Sequence, residues 1–278
     1  MEKKLSRSLI IGWLILLLML MSGCGPTNRL TDAQSTSNTN EAVSTAKSNS
    51  EPSSNDYQSL GGIDKQQLQQ LAKLDFHSGD KVVVEVNGGH SMLNPKAWQS
   101  NHIIYSPLDS LNRTSSPNTA FLEERNIANS QWREQQTFQP SGWHYNHGRN
   151  QIYNRGHLIA YSLSAGIDQN GNYQPNDTSG DQNNPKNLFT QSAYTNQKIQ
   201  TYYEGLVRTA LRQHKKVIYQ ATAVFRGDER MARGVNLQAV STDGSLDFNV
   251  YIYNVQPGVA FDYQTGRWKV DRSMQVSQ

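Results

Sequence analysis

Four consecutive residues near the middle of the chain, Asn154-Arg155-Gly156-His157, combine side chains that are suited to phosphodiester hydrolysis. A histidine with an ordinary pKa of about 6.5 supplies a neutral imidazole as a general base near pH 7. Arg155 can grip a phosphate through its planar guanidinium group, and Gly156 lets the backbone bend or approach a neighbour closely. A lone histidine is usually structural, so it is these neighbours that favour a catalytic role for His157.

A second polar group begins about thirty residues later. Asn184-Pro185-Lys186-Asn187 closes a long loop, and Asn196 lies just inside a predicted helix that also contains Glu204. Because a helix turns by about 100° per residue, Asn196, Gln200 and Glu204 share one side of it. Such a polar side is usually just exposed to solvent. Beside His157, however, an asparagine at the start of a helix can hold one hard metal ion.

The elements that must position these residues follow from the spacing of apolar residues and from turn signals. Helices are predicted over 64–74 and 191–213, strands over 81–86, 99–106 and 217–225, and a hairpin over 236–241 and 246–255 around Asp243-Gly244. Residues 120–131 are expected to be helical or irregular, 150–158 to form a hairpin arm, and 164–184 to form a polar loop. Antiparallel strands with helices inserted between them predict an α+β fold, an antiparallel sheet with flanking helices.

The N-terminus has the pattern of a secretory signal. A basic start precedes an apolar run from Leu9 to Met21, which is short for a membrane span of ~20 residues. The run ends in Met21-Ser22-Gly23-Cys24, which resembles a bacterial lipobox and contains the only cysteine of the chain. We expect residues 1–23 to be a lipoprotein signal peptide and Cys24 to be lipidated, with an uncleaved signal anchor as the alternative. Both place the rest of the protein outside the cytoplasm, tethered to a membrane.

Composition divides the remainder in two. Residues 24–58 are rich in Ser, Thr, Asn and Gln and nearly lack large apolar residues, which predicts a disordered tether. Residues 59–278 have the length of one domain. The net charge stays at +3 without residues 1–58, because that segment has 5 basic and 5 acidic residues. This mildly basic domain permits a polyanionic partner and does not require one. With a single cysteine in the chain, the fold must be held by its core or by metal.

The order of these motifs resembles the DNA/RNA non-specific endonuclease family, the ββα-metal or His-Me finger nucleases, and in particular streptococcal surface and secreted DNases. Further matching phrases are Leu111-Asn112-Arg113, Pro140-Ser141-Gly142-Trp143, Tyr202-Tyr203-Glu204 and Asp243-Gly244-Ser245-Leu246-Asp247-Phe248-Asn249-Val250. The resemblance covers nearly everything between about residues 60 and 270. It departs at Asn154, where the family usually has Asp, so that one acceptor is kept and one charge is lost.

The resemblance implies an activity and a role for each matching residue. The protein would be an endonuclease for DNA, and for RNA as well, that leaves 5′-phosphates. The ββα-metal site would include a strand over 151–157 and a helix that starts near Asn196. By this resemblance, His157 would be the general base, Arg155 would support the phosphate or the leaving group, and Asn187 would support the metal site or His157. Asn196 would be the sole protein ligand of a hydrated Mg²⁺ (or Mn²⁺), and Glu204 would hold metal-bound waters. Arg113 and Arg125 would bind substrate.

Two other functions remain open at this point. A surface receptor that binds extracellular DNA without cutting it needs neither His157 nor Asn196 nor Glu204. An adhesin would act through Arg226-Gly227-Asp228. No protein partner is indicated by the sequence. Cleavage that stops when divalent metal is chelated would separate a nuclease from both alternatives.

Overall fold

The computed structural model of the chain describes residues 59–129, 135–148, 151–177 and 179–278. The predicted signal peptide, the predicted tether and Cys24 lie outside these ranges. The helices and strands within them are, in chain order, α1 (Lys65–Ala72), β1 (Val83–Glu85), β2 (His102–Ile104), β3 (Asn118–Leu122), β4 (Tyr153–His157), β5 (Leu188–Ser192), α2 (Thr201–Arg212), β6 (Val217–Val224), β7 (Gly234–Ser241), β8 (Asp247–Tyr253), β9 (Val259–Asp262) and β10 (Arg267–Val270). None of the helices within the described ranges is both long and apolar enough to cross a membrane.

A six-stranded antiparallel sheet, in the order β1-β8-β7-β6-β3-β2, forms the centre of the described domain. Every residue of β6 and β7 is buried. Since neighbouring side chains of a strand point to opposite faces, burial along the whole strand means that both faces of the sheet's centre are covered. Val207 and Leu211 of α2 belong to the same buried apolar cluster as Tyr219 and Leu237 of the sheet. Helix α2 therefore rests on the centre of the sheet.

The turn between β7 and β8 confirms the hairpin predicted at Asp243-Gly244. Gly244 adopts a φ of 72°, which a residue without a Cβ adopts at little cost. The carboxylate of Asp243 accepts hydrogen bonds from the hydroxyl groups of Ser241 and Ser245, both at 2.6 Å. These bonds hold the pKa of the Asp243 carboxyl well below its ordinary value. The turn thus fixes the register in which β7 and β8 pair over their whole length.

Strands β4 and β5 form a separate two-stranded antiparallel sheet, which carries the Asn-Arg-Gly-His segment. In its register, His157 lies opposite Leu188 and Asn154 lies opposite Gln191. The predicted strand at 150–158 is confirmed, but its partner lies beyond a loop of about thirty residues and is not the other arm of a local hairpin. This polar loop, predicted over 164–184, contains no regular strand in its described residues.

The structure corrects two of the predicted elements. The helix predicted over 191–213 begins later, because Gln191 and Ser192 belong to β5; a π-helical turn (Thr195–Gln200) follows and leads into α2. The region 120–131, predicted to be helical or irregular, begins inside β3 and continues in a short 3₁₀ helix (Glu124–Asn126), and residues 130 and 131 lie outside the described ranges. The fold class, an α+β domain built on an antiparallel sheet, is confirmed.

Candidate active site

A cleft of about 710 Å³ lies beside the small β4–β5 sheet and brings the predicted chemistry together. Asn154, Arg155 and His157 reach it from β4, while Asn196 reaches it from the π-helical turn and Glu204 from α2. Residues from both polar groups, which are far apart in the sequence, therefore line one cleft. This is the arrangement of two strands followed by a helix that the sequence predicts.

The hydrogen bond of His157 indicates which ring nitrogen is basic. Its Nε2 lies 3.1 Å from the backbone carbonyl oxygen of Gln182. The amide nitrogen of Gln136 lies 3.4 Å from the same Nε2. Because the shorter of the two contacts is to a carbonyl oxygen, which only accepts, we assign the proton of the neutral imidazole to Nε2. Nδ1 is then the nitrogen with the basic lone pair. Gln136 Nε2 donates to the same carbonyl at 3.1 Å, which reinforces its position as the partner of the imidazole.

The backbone at His157 and just after it is fixed by buried amides. Gln200 Nε2 donates to the carbonyl oxygen of His157 at 2.8 Å. Asn187 is completely buried and clamps Ile159, accepting from its N–H at 2.8 Å and donating to its carbonyl at 2.9 Å. It does not line the cleft. The structure thus places Asn187 where it can support His157 through the backbone, two residues further along the chain.

Asn196 stands in the middle of a directional chain of side-chain amides, which we call the amide chain. Each member donates an amide N–H to the oxygen of the next. The five bonds are Gln151 to Asn154 at 2.6 Å, Asn154 to Asn196 at 2.8 Å, Asn196 to Gln191 at 2.9 Å, Gln191 to Gln200 at 2.9 Å and Gln200 to Glu204 at 2.9 Å. Because the bonds run in one direction and end on a carboxylate, each polarises the next. The Asn196 amide is held with its nitrogen towards Gln191 and its oxygen towards Asn154.

Gly156 is required by the amide chain. A Cβ atom at this position would lie 2.1 Å from Oε1 and 2.8 Å from Cβ of Gln191. The side chain of Gln191 therefore crosses the strand in the space that every other residue type would fill. The sequence suggested that Gly156 allows either a bend of the backbone or the close approach of a neighbour. The structure shows the close approach, which is that of the Gln191 side chain.

The polar side of the helix faces inward. Gln200 is completely buried, and Glu204 is 9% exposed. Arg208, one turn further along α2, lies 3.7 Å from the Glu204 carboxylate and donates to the hydroxyl of Ser162 at 2.8 Å. A charged group at this depth is stable only with such partners. Of the stripe that could have been a plain solvated face, Asn196 and Glu204 line the cleft and Gln200 is buried.

Arg155 is positioned by an aromatic ring and a carbonyl. Its guanidinium carbon lies 4.3 Å above the ring of Trp143, and its Nε donates to the carbonyl oxygen of Phe138. Arg155 itself lines the cleft. This arrangement presents a fixed positive charge to an anion beside His157.

The structure does not bring the other two predicted arginines into this cleft. Arg113 pairs with Asp109 at 2.8 Å and donates to the carbonyl oxygens of Gly227 and Glu229, so its guanidinium holds loops together. Arg125 pairs with Glu123 and stacks over the ring of Tyr173 at 5.0 Å. Their binding of substrate stays a prediction, which their positions do not support.

Comparisons with known proteins identify the family. The model of the DNA/RNA non-specific endonuclease family matches residues 69–262. The chain belongs to the DNA/RNA non-specific endonuclease family. Among solved structures, it is similar to NucA from Streptococcus agalactiae with magnesium bound, at 30% identity and a TM-score of 0.60, over 74% of this chain and 96% of that one. For NucA with no metal bound, the identity is 31% and the TM-score 0.58, over 74% and 97% of the two chains.

Membership of this endonuclease family makes the protein a nuclease, a hydrolase of nucleic acid, and does not favour the non-catalytic DNA receptor. The geometry also gives no support to the adhesin alternative. Arg226 of the Arg-Gly-Asp tripeptide donates to the carbonyl oxygens of Ala72 and Leu74 and pairs with Asp75 at 2.9 Å. Its side chain is thus engaged with the loop after α1.

The oxygen atoms of this endonuclease site fit a hydrated hard cation. Mg²⁺ prefers oxygen ligands and keeps several of its waters, so few protein ligands suffice. The amide oxygen of Asn196 could bind the cation directly, and the carboxylate of Glu204 could hold its waters. No group of three or more His, Cys, Asp or Glu that could hold a metal occurs within the described ranges. The site therefore fits a hydrated divalent cation that is held by few protein ligands.

Sequence reasoning missed part of the nuclease site. The predicted helix over 191–213 wrongly includes Gln191, which lies on β5, and the sequence indicates Trp143 only as part of a matching phrase. Gln182 and Arg208 were not singled out at all. Gln182 acts through its backbone carbonyl, which no side-chain pattern reveals. A signal for Arg208 was present, since it follows Glu204 by four residues on a predicted helix, the spacing of an intrahelical ion pair.

Proposed function

We propose that this protein is an extracellular, membrane-tethered, metal-dependent endonuclease that hydrolyses DNA and RNA without strong sequence preference. One observation carries the proposal: His157, Arg155, Asn196 and Glu204 line a single cleft, with the proton of the imidazole held on Nε2 by the Gln182 carbonyl. A base, a cationic phosphate clamp and oxygen ligands for a hard cation are the parts that phosphodiester hydrolysis needs.

The chemistry assigned to the chain's own residues is a general-base reaction. Nδ1 of His157 takes a proton from water, whose oxygen attacks phosphorus. The bond from phosphorus to the 3′ oxygen breaks, and the leaving oxyanion takes a proton from solvent water. This leaves a 5′-phosphate on one product and a 3′-hydroxyl on the other. Arg155 holds the phosphate through its guanidinium group. A divalent cation bound at Asn196 would supply positive charge against the phosphate and the leaving oxygen.

The substrate range follows from which part of the nucleic acid these residues contact. Arg155 and the cation would engage phosphate oxygens, which are the same in every nucleotide. Contacts to the phosphate backbone carry no sequence information, and they weaken as salt rises. DNA and RNA are therefore both expected as substrates, with cleavage that becomes slower at high ionic strength.

The experiment that tests the activity compares cleavage of plasmid DNA and of RNA by the purified protein in Mg²⁺, in Mn²⁺ and in EDTA, beside His157→Ala. We expect cutting that requires the divalent metal and falls by roughly 10²- to 10⁴-fold in the variant, the usual contribution of a general base. His77→Ala is a matched control, because its side chain is 81% exposed and it does not line the cleft. Equal cutting by His157→Ala and wild type would show that the base is misplaced.

The location outside the cell rests on the N-terminal sequence. The apolar run from Leu9 to Met21 ends in Met21-Ser22-Gly23-Cys24, and Cys24 is the only cysteine of the chain. We expect wild-type protein produced in bacteria to incorporate radiolabelled fatty acid and to sediment with membranes, and Cys24→Ser to lose the label. A label that persists in Cys24→Ser would exclude lipidation at this residue. An unlabelled wild type that still sediments would indicate an uncleaved signal anchor.

A further inference from the structure

One aromatic ring in the cleft has no part in the proposed hydrolysis. Tyr145 is 56% exposed, and it lines the same cleft as His157 and Arg155. Only three other large apolar side chains of the described residues are similarly exposed, namely Tyr202, Trp268 and Val270, and none of them lines this cleft. A single exposed apolar side chain is ordinary on a protein surface, so it is the position of Tyr145 inside the cleft that indicates a ligand.

The ring of Tyr145 is held in place although one side of it is open. Gln139 Nε2 donates to its hydroxyl oxygen at 2.6 Å. Its ring meets Trp143 edge to face, with the two centroids 6.2 Å apart and an angle of 80° between the planes. Trp143 is itself fixed between Arg155 on one side and Tyr153 at 6.1 Å. The ring is thus preorganised, which lowers the entropy lost when a ligand covers it.

The neighbours of Tyr145 indicate what would cover it. Trp143 connects the ring directly to Arg155, the residue that presents positive charge to a phosphate in the cleft. If the phosphate of a nucleotide lies at Arg155, the base of that nucleotide or of its neighbour lies close enough to reach Tyr145. Bases stack on aromatic side chains, and every base has a face that can do so. An aromatic platform is therefore compatible with cleavage that ignores sequence.

We propose that Tyr145 is a binding site for a nucleobase next to the phosphate that is cleaved. The proposal rests on the proposed nuclease function and adds a substrate preference to it. In a duplex, both faces of a base are covered by its neighbours in the stack, so a base must be unstacked before it can reach Tyr145. The site therefore favours single-stranded DNA and RNA, loops and frayed ends over intact duplex.

The test measures cleavage of one single-stranded oligonucleotide by the full-length protein in detergent and Mg²⁺, beside the same oligonucleotide with an internal run of abasic residues. Four variants are compared with wild type: Tyr145→Ala, Tyr145→Phe, Tyr145→Trp and Tyr202→Ala. The last is a matched control, since Tyr202 is 62% exposed and lies on α2 outside the cleft lining. We expect Tyr145→Ala to raise KM on the normal oligonucleotide roughly tenfold with little change in kcat.

Two further results are expected if the ring stacks on a base. Tyr145→Phe and Tyr145→Trp keep a flat ring and should keep most of the affinity, although Tyr145→Phe loses the bond from Gln139. Wild type should cleave within the abasic run with a KM raised by about the same factor, and Tyr145→Ala should add little to it. The two changes then remove the same interaction, so that their effects are not additive.

Several outcomes would overturn the proposal. Tyr145→Ala with unchanged KM on the normal oligonucleotide excludes a contribution of the ring. A Tyr145→Ala defect that is as large on the abasic run as on the normal sequence shows a general loss of structure and not lost stacking. If wild type cleaves neither oligonucleotide in Mg²⁺ or Mn²⁺, it is the proposed nuclease function that fails, and this result is distinct from the first two.

Discussion

At the scale of single residues, Asn154 is the position where this chain departs from the family pattern, and the structure shows a consequence. Its Nδ2 donates at 2.8 Å to the Asn196 oxygen that we propose as the cation ligand. This bond occupies one of the two lone pairs of the oxygen, and it places the positive end of an N–H dipole beside an incoming cation. An aspartate at the same place cannot donate and would add one negative charge to the wall of the cleft.

Asn154→Asp is therefore expected to bind Mg²⁺ more tightly than wild type. The substitution frees the Asn196 oxygen and adds charge attraction; for a partly exposed site we expect a decrease of roughly tenfold in the dissociation constant. Isothermal titration calorimetry with Mg²⁺ measures this directly, without any substrate. Asn154→Ala is the matched control, because it removes the donor without adding a charge. Binding by Asn154→Asp that is no tighter than that of wild type would contradict the role given to Asn154.

Some residues of the site can be predicted from the sequence, and others cannot. His157, Asn196 and Glu204 are predicted from their types and spacing together with the family resemblance, and the structure brings them to one cleft. Gln182 could not be predicted, because the atom that orients His157 is a backbone carbonyl, and any residue type supplies one. Arg113 shows the opposite difficulty. A family position suggested substrate binding, while its actual partners are a carboxylate and two carbonyls that only the folded chain brings near.

At the scale of elements, the site depends on the joint between the β4–β5 sheet and the helical segment that follows it. Gln191 lies on β5, Asn196 and Gln200 on the π-helical turn, and Glu204 on α2. The amide chain ties these three elements together. A π-helical turn changes the angular spacing of side chains, and such turns are frequent at functional sites. Both Asn196 and Gln200 of this turn bond to the side chain of Gln191.

Gly156→Ala tests this joint, because a Cβ there would collide with the side chain of Gln191. Displacing Gln191 removes the acceptor for Asn196 and releases the amide that we propose as the ligand. We expect cleavage to fall by about 10²-fold, as for a misplacement of about 1 Å in a catalytic group. Stability should fall by about 1–3 kcal/mol, the usual cost of overpacking. Cleavage assays and urea unfolding measure the two effects separately.

Gly205→Ala is the control for this substitution. Gly205 lies in α2, and a Cβ there would meet only Arg208 Nη2, at an ordinary contact distance of 3.5 Å. Alanine in a helix is favoured over glycine by roughly 0.5–1 kcal/mol, so this variant should be slightly more stable. Full activity in Gly156→Ala, or an equal loss in Gly205→Ala, would show that the amide chain does not position the site.

Elements with local signals are predicted well, and those that depend on distant partners are not. Asp243-Gly244 predicts the β7–β8 hairpin correctly, because the residue types that favour the turn are adjacent in the sequence. The partner of β4 is separated from it by about thirty residues, so no local pattern identifies β5. The apolar residues that follow β5 at helical spacing extended the predicted helix backwards over Gln191, since a short strand and a helix start are hard to separate by period alone.

At the scale of the whole molecule, the described domain is held by its core. Buried strands β6, β7 and β8 share one apolar cluster with α1, α2 and parts of the long loop. The only cysteine of the chain, Cys24, allows no intrachain disulfide. Of the two sources of stability expected from the sequence, core or metal, the structure therefore favours the core. The domain should be folded before any cation binds.

We therefore expect the domain to be folded without metal, and bound metal to increase its free energy of unfolding. A ligand that binds only the native state stabilises it by ~2.7 kcal/mol at a free concentration of about 100 times its dissociation constant. For a domain of roughly 150–250 residues, this corresponds to an increase in Tm of about 5–11 °C. Circular dichroism in EDTA should show the native spectrum, with a Tm that rises as Mg²⁺ is added.

Asn196→Ala makes this prediction specific to the proposed site. Because the variant lacks the amide oxygen that we assign to the cation, its Tm should not depend on Mg²⁺ while its spectrum in EDTA matches that of wild type. An Mg²⁺-dependent increase that is equal in both proteins would place the bound cation elsewhere. A wild type that loses its native spectrum in EDTA would show instead that the core is insufficient, since only a metal that holds the fold together unfolds a domain when it is removed.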